Sequence, residues 1–81
     1  MAPYFIERDG VMFTVNMRIL GAMCRSFRIS LGVTQKEIAR DIDCGQENVS
    51  AFENGRNRNC VILLWYVNKG FDLGGYGSWI Q

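Results

Sequence analysis

The stretch from Thr34 to Gly55 constrains the fold most, because it has the pattern of two short helices joined by a tight turn. Apolar residues first recur at helical spacing, at Ile38, Ala39 and Ile42. Asp43-Cys44-Gly45 then interrupts the pattern, and Val49 and Phe52 resume it. Helices of about two turns each bury little by themselves. We therefore expect this pair to hold one polar helix face outward.

Capping signals give the bounds of these two helices. Thr34 with Glu37 three residues later is a capping box, which predicts a helix from about Gln35 to Asp41. Asp43 tolerates the left-handed conformation that a sharp turn between helices needs, although glycine would adopt it with less strain. The next helix is predicted to begin near Gly45 or Gln46 and to end at Asn54-Gly55.

A longer helix is predicted before this pair. Asn16 suits its N-cap and Gly32 its C-terminal stop. The apolar stripe at three- and four-residue spacing is Ile19 or Leu20, Met23, Phe27 and Leu31. Three arginines fall off the stripe, Arg18, Arg25 and Arg28. They predict a solvated face, and a phosphate contact by one of them is the alternative.

Composition indicates one small folded domain. The chain has 81 residues, of which 48% are hydrophobic and 21% charged, so it has room for no second domain and is too apolar for disorder. We find no transmembrane run and no signal peptide, and we expect a cytoplasmic protein. The net charge of +1 is weak support for a polyanionic partner.

The cysteines and the absence of histidine exclude several kinds of site. Cys24, Cys44 and Cys60 are widely spaced and odd in number, so neither a disulfide framework nor a Cys/His zinc site is indicated. Histidine, the commonest general base, is absent, and no paired nucleophile and base or glycine-rich phosphate loop occurs. We expect no enzyme activity, no metal and no cofactor.

Residues 4–15 predict a β-hairpin, because Asp9-Gly10 suits a two-residue turn. Pairing Arg8 with Val11 makes one face of the ribbon apolar, and this face must pack on the helices or on another subunit. An irregular arm whose apolar residues cover the core is the alternative. The apolar residues are Tyr4, Ile6, Val11, Phe13 and Val15.

Two further segments follow the helix pair. Asn59 suits the N-cap of a fourth helix, Cys60 to Lys69, which is apolar nearly all round. Its Trp65, Tyr66 and Val67 predict a subunit interface or cover by the N-terminal arm, with burial in the core as the alternative. The glycine-rich segment 71–81 is a poor helix. It is expected to be an extended tail. Its Tyr76 and Trp79 are predicted to pack on the hairpin or on a partner chain as a clasp, with a frayed end as the alternative.

The string V-T-Q-K-E-I-A-R-D-I-D-C-G-Q-E-N-V-S-A-F-E-N-G-R-N resembles the helix-turn-helix of the lambda-repressor/Cro (XRE-type) family of transcription regulators. The resemblance covers Met17 to about Gly70. Its features are Gln35 at the start of helix two, Ala39 at the close-packed position, and the closing Glu53-Asn54-Gly55-Arg56. Asp43 stands where that family usually has glycine, and Gly45 where serine or threonine often caps helix three.

The resemblance implies that helix three enters the major groove of double-stranded DNA. The positions that would read bases are Gln46, Glu47, Asn48, Ser50 and Ala51. The positions that match phosphate contacts are Gln35, Asn54, Arg56 and Arg58. An ordinary solvated surface is the alternative reading of the outer face of helix three.

Together these features predict a mainly α, compact four-helix lambda-repressor-like domain over residues 1–81, with a hairpin or arm at 4–15, a helical core at 17–70 and a tail at 71–81. The function expected from the resemblance is transcription regulation by a small phage-type, Cro-like homodimer on a DNA operator, in a bacterial or phage-infected cell. The predicted dimer or partner contacts are Tyr4, Ile6, Phe13, Trp65, Tyr66, Tyr76 and Trp79. A protein-binding module, such as an antirepressor or modulator that engages another regulator, is the alternative, which Glu47 and the near-neutral charge favour.

Overall fold

The computed structural model describes residues 4–8 and 11–73, with side chains from residue 16 onward, and this part of the protein is mainly helical. Its helices are α1 (Met17–Leu31), α2 (Gln35–Asp41), α3 (Gln46–Glu53) and α4 (Cys60–Asn68). Two strands precede them, β1 (Tyr4–Arg8) and β2 (Val11–Val15). None of the helices in these ranges has the length and apolar character needed to cross a membrane.

The two strands pair antiparallel, with Tyr4 opposite Val15 and Ile6 opposite Phe13. The residues of the expected turn, 9–10, and the side chains of the expected apolar face lie outside the described part of the chain. The predicted clasp of Tyr76 and Trp79 also lies outside it.

Side-chain caps begin three of the four helices of the described region, as the sequence predicts. Asn16 Oδ1 accepts hydrogen bonds from the backbone N–H of Arg18 and of Ile19, at 3.1 and 3.2 Å. Thr34 and Glu37 form the predicted capping box, and Asn59 Oδ1 accepts from the N–H of Val61 at 2.8 Å. These local bonds satisfy amides that have no partner within their own helix, which is why the bounds follow from the sequence.

The helices enclose a core to which all four contribute. Its fully buried side chains include Leu20 and Cys24 of α1, Ile38 of α2, Val49 and Phe52 of α3, and Ile62 and Tyr66 of α4. Gly21 allows α1 to approach α3 closely, because a Cβ at this position would lie 2.5 Å from the carbonyl oxygen of Phe52. The inner face of α3 is thus held against α1, and its opposite face is left outward.

Residues Ile42 to Gly45 form the turn between α2 and α3. Asp43 has a φ of 55°, so it adopts the left-handed conformation that the sequence predicts for it. The N–H of Cys44 donates to the carbonyl oxygen of Ala39 at 2.9 Å, which closes the turn onto the end of α2. The turn between the two helices thus holds one non-glycine residue in a conformation that favours glycine.

The orientation of α4 corrects the predicted interface at Trp65 and Tyr66. Tyr66 is fully buried and Trp65 is 7% exposed, so neither side chain is available to a partner. Their polar atoms are bonded inside the fold, because Trp65 Nε1 donates to Asp41 Oδ2 at 3.1 Å and Tyr66 Oη donates to the carboxylate of Glu53. The apolar side chains that α4 presents to solvent are Val61 and Leu64, each 54% exposed.

Candidate nucleic-acid interface

The outer face of α3 carries the five positions expected to read bases. Gln46 and Glu47 are exposed, and the other three are partly buried: Asn48, Ser50 and Ala51. Val49 and Phe52 lie on the opposite face and are fully buried. The helix therefore separates an apolar inner side from an outer side with short polar side chains, as the sequence predicts.

Glu53, at the end of α3, is the centre of a buried polar cluster that the sequence did not reveal. It is 3% exposed. Arg28 of α1 donates to both carboxylate oxygens, from Nε to Oε2 at 2.7 Å and from Nη2 to Oε1 at 3.1 Å. Tyr66 Oη donates to Oε2 at 2.5 Å, and Gln35 Nε2 donates to Oε1 at 3.0 Å. Arg28 is thus part of the core and not, as expected, of a solvated face.

These bonds shift the pKa values of the cluster. Burial alone would raise the pKa of Glu53, but the hydrogen bonds from Arg28, Tyr66 and Gln35 outweigh it and hold that pKa below its usual value. The pKa of Tyr66 is raised, first by burial and then by its bond to Glu53. Burial, with the nearby charge of Glu53, raises the pKa of the Cys24 thiol to about 12. The carboxylate is therefore ionised at neutral pH, and Tyr66 and Cys24 keep their protons.

Gln35, which the resemblance places on a phosphate, uses both ends of its side-chain amide within the protein. Its Nε2 donates to Glu53, and its Oε1 accepts from Nε2 of Gln46 at 3.4 Å. Gln35, which is expected to contact the DNA phosphate backbone, and Gln46, which is expected to read a base, are thereby in contact. Gln35 also links the buried cluster to the outer face of α3.

A polar cleft of about 430 Å³ lies beside this pair. Its lining comes from three elements and comprises Arg25, Arg28, Thr34, Gln35, Lys36 and Gln46. The charge of Arg28 is compensated by Glu53, whereas Arg25 and Lys36 are exposed and form no ion pair within the described part of the chain. The cleft thus has a local excess of positive charge that the net charge of the chain conceals.

The cleft brings together residues from separate parts of the sequence, which is why the sequence did not predict it. The sequence distinguishes Arg25 only as one of three arginines off the apolar stripe, and it does not indicate that Lys36 belongs to a site. The one signal was that Lys36 lies next to Gln35 in the first turn of α2. The structure adds that the third turn of α1 lies opposite this turn.

The side chain of Glu47 turns back toward the start of α3. Gly45 is the N-cap and makes no side-chain bond, and a Cβ at this position would collide with the carboxylate of Glu47. Glycine in place of a serine or threonine cap therefore leaves room for a carboxylate near the free amides of the first turn, where the helix dipole favours negative charge.

The remaining predicted phosphate contacts follow α3 and do not line the cleft. Asn54 is exposed, and its Nδ2 donates to the carbonyl oxygen of Ser50 at 2.8 Å. Arg56 and Arg58 are exposed in the loop before α4. The basic candidates for phosphate contact thus lie in two places, Arg25 and Lys36 in the cleft beside the start of α3, and Arg56 and Arg58 in the loop beyond its end.

Apolar surface is also available outside the candidate interface. Besides Val61 and Leu64 on α4, a groove of about 720 Å³ runs along α1 and ends at Phe71. Its apolar lining includes Ile19, which is 39% exposed, and the edge of Phe27, whose ring packs on that of Phe71 at 5.6 Å. These surfaces replace Trp65 and Tyr66 as candidates for contact with a second subunit.

Within the described residues, no group of three or more histidine, cysteine, aspartate or glutamate side chains could hold a metal ion. Comparison of the chain with models of protein families, with curated proteins and with solved structures found no match. The chemistry of the site therefore has to be argued from its own residues.

Proposed function

We propose that the protein is a sequence-specific DNA-binding regulator that places α3 in the major groove of a double-stranded operator. The observation that carries the proposal is the position of Gln46, which lines the same cleft as Arg25 and Lys36. A side chain able to read a base edge and two uncompensated cations able to hold the adjoining phosphates thus lie side by side. This combination distinguishes the cleft from an ordinary solvated surface.

The residues of the outer face suit the base edges of the major groove. The amide of Gln46 can accept from N6 and donate to N7 of adenine. Ala51 can contact the methyl group of thymine, and Glu47 can accept from the amino group of cytosine. The cations Arg25, Lys36 and Arg56 hold phosphates, which fixes the register of α3 without reading sequence.

We infer that the regulator acts as a homodimer. A homodimer on a two-fold symmetric operator places two copies of α3 in successive major grooves, and its binding occludes a promoter. The exposed Val61 and Leu64 support association of two chains, because a two-fold axis would bring the same apolar patch of each chain together and cover it. Tyr4, Ile6, Phe13, Tyr76 and Trp79 remain further proposed contacts of the dimer.

Selection of bound sequences from a pool of random duplexes tests this function directly. We expect enrichment of a palindrome whose half-sites are about one helical turn apart, roughly 10 base pairs. Gln46→Ala should relax the preference at one position of each half-site. Lys69→Gln, which removes a charge at the end of α4, away from the cleft, is the control and should select the same palindrome. If no sequence is enriched at any salt concentration, DNA reading by α3 is wrong.

A protein-binding module that engages another regulator is the second candidate function. The exposed apolar pair on α4, Val61 and Leu64, supports it, since a partner protein would cover that pair. The discriminating result is a stable complex with another regulator that Val61→Ser disrupts, together with no salt-sensitive binding to any duplex. That result would replace the first proposal by the second.

A further inference from the structure

The groove along α1 combines an apolar lining with two small side chains. Ala22 and Ser26 are exposed and lie one turn apart on the helix. Ile19, which is 39% exposed, and the partly buried Met23 and Phe27 lie beside them. Small residues one turn apart let the backbone of another segment approach a helix closely, and the larger apolar residues offer it surface to cover. The groove thus has the form of a site for an extended, apolar segment.

The chain that follows α4 turns back to this groove. Gly70 has a φ of 106°, a conformation that favours glycine, and the N–H of Phe71 donates to the carbonyl oxygen of Tyr66 at 2.9 Å. The ring of Phe71 packs edge-on against that of Phe27, with 5.6 Å between the ring centres, and closes one end of the groove. Leu73 is partly buried against the core. Residue 74 therefore begins beside the groove.

We propose that residues 74–81 of the same chain lie in the α1 groove, with the ring of Trp79 as their anchor. This inference goes beyond the proposed function and holds whether or not α3 binds DNA. Tyr76 and Trp79 then act within one chain, whereas Val61 and Leu64 remain for the second subunit. The glycine-rich segment is thereby a strap that covers α1.

The lengths of the segment and of the groove favour docking within one chain. The stretch from Leu73 to Trp79 spans roughly 20 Å when extended. The helix rises about 12 Å from Ile19 to Phe27, so the segment can reach the far end of the groove. A tether this short gives the segment a local concentration on the order of millimolar. A second copy would need about 800 Å² of surface on each partner, which a groove along two turns of helix does not offer.

The residue types of the segment suit the lining of the groove. The segment has no charged residue, and three of its positions are glycine: Gly74, Gly75 and Gly77. Glycine has no Cβ, so its backbone can lie directly against Ala22 and Ser26. Trp79 brings a large apolar ring whose N–H needs an acceptor, and the side chains of Asn16 and Ser26 supply polar groups at the groove. Apolar contact and a hydrogen bond are thus both available to the indole ring.

Quenching of tryptophan fluorescence by acrylamide tests the docking on the full chain, which has two tryptophans. Trp65 is 7% exposed, so acrylamide should not reach it. Trp79 should be equally protected in the wild type. Ala22→Arg fills the groove, and it should make Trp79 accessible to acrylamide and shift its emission to longer wavelength. Trp79→Phe, combined with Ala22→Arg, should remove the quenchable emission and so assign it to Trp79.

A double-mutant cycle tests the contact itself. Ala22→Arg and Trp79→Ala should each lower the midpoint of thermal unfolding by roughly 4–8 °C. The double variant should unfold at nearly the same temperature as either single variant, because the second substitution acts on a contact that is already lost. If the two losses add, Trp79 does not touch the groove and the proposal is wrong.

Leu31→Arg is the matched control, because it places the same charge on the opposite, exposed side of α1. It should leave Trp79 protected and the unfolding midpoint nearly unchanged. Ser26→Arg fills the groove at a second exposed position and repeats the test if Ala22→Arg does not fold. A quenchable Trp79 in the wild type, or protection that survives both groove substitutions, overturns the proposal. Protection that disappears on dilution, as the dimer dissociates, would place the segment on a second copy and exclude docking within one chain.

Discussion

Gln35 belongs to two polar clusters, an inner one centred on Glu53 and an outer one that lines the cleft with Arg25 and Lys36. The two clusters differ in how their charges are compensated. On the inner side, the carboxylate of Glu53 receives donors from Arg28, Tyr66 and Gln35, and the ion pair is shielded from solvent. On the outer side, Arg25 and Lys36 line an open cleft without an ion pair in the described chain. The inner cluster has all its partners within the protein, whereas the outer one offers positive charge to a ligand.

The contrast shows why similar residue types have different roles a few ångströms apart. A buried charge is tolerated only when it is paired and hydrogen-bonded, so the inner cluster specifies how the four helices meet. An exposed charge adds little to stability, so the outer cations can be retained for binding. Substitutions in the inner cluster should therefore change stability, and those in the cleft should change DNA affinity.

Glu53→Ala should give the largest effect. It leaves the guanidinium of Arg28 buried without its carboxylate partner, and we expect the free energy of unfolding to fall by about 3–5 kcal/mol. Chemical denaturation of the purified protein measures this change. Arg40→Ala, on the exposed side of α2, is the control and should leave the unfolding midpoint nearly unchanged. A loss from Glu53→Ala as small as that of the control would show that the inner cluster does not hold the helices together.

The contribution of Glu53 should also disappear in acid. Its pKa in the folded protein lies below the ordinary value of 4.5, so its ionised form is stabilised by folding. That stabilisation is complete above about pH 4.5 and is lost as the pH falls through the folded pKa. We expect the difference in unfolding free energy between the wild type and Glu53→Ala to shrink below pH 4.5. A difference that stays constant from pH 6 to pH 3 would contradict ionisation of Glu53.

Arg25→Gln and Lys36→Gln should change DNA affinity and leave stability nearly unchanged. Each removes one proposed phosphate contact, so the slope of the logarithm of the binding constant against the logarithm of salt concentration should fall by about 0.9 per substitution. Thermal unfolding should change little, because both side chains are exposed. Titration of the selected duplex at several salt concentrations measures the slope, with Lys69→Gln as the charge-matched control. Equal slopes in all four proteins would remove the cleft from the interface.

The parts of the structure that the sequence predicted correctly depend on near neighbours. Asn16, Thr34 and Asn59 bond to amides two or three residues away, so their roles as caps are visible in the order of residues. Asp43 is identified in the same way, because the turn it forms is only a few residues long. Each of these assignments needs a local conformation and no knowledge of the tertiary fold.

The inner cluster and the faces of α4 could not be predicted in this way. Glu53 and Arg28 are 25 residues apart, and a helical projection places Glu53 only at the margin of the buried face. On α4, nearly every residue is apolar, so the sequence has no period that distinguishes Tyr66, which is buried, from Leu64, which is exposed. Tertiary packing decides the burial of both Glu53 and Tyr66, because it places the Glu53 carboxylate inside the fold as the acceptor for the tyrosine hydroxyl.

Asp43→Gly tests the turn between α2 and α3 and should give the smallest effect. Asp43 has a φ of 55°, a conformation that strains residues with a Cβ, so glycine should raise the free energy of unfolding by about 0.5–1 kcal/mol. Asp43→Ala removes the carboxylate but keeps the Cβ, and it separates relief of backbone strain from loss of a charge. If both substitutions stabilise the protein equally, the gain comes from the removed charge. If only glycine stabilises it and DNA affinity is unchanged, α3 holds its orientation in the groove without the strain that the turn now carries.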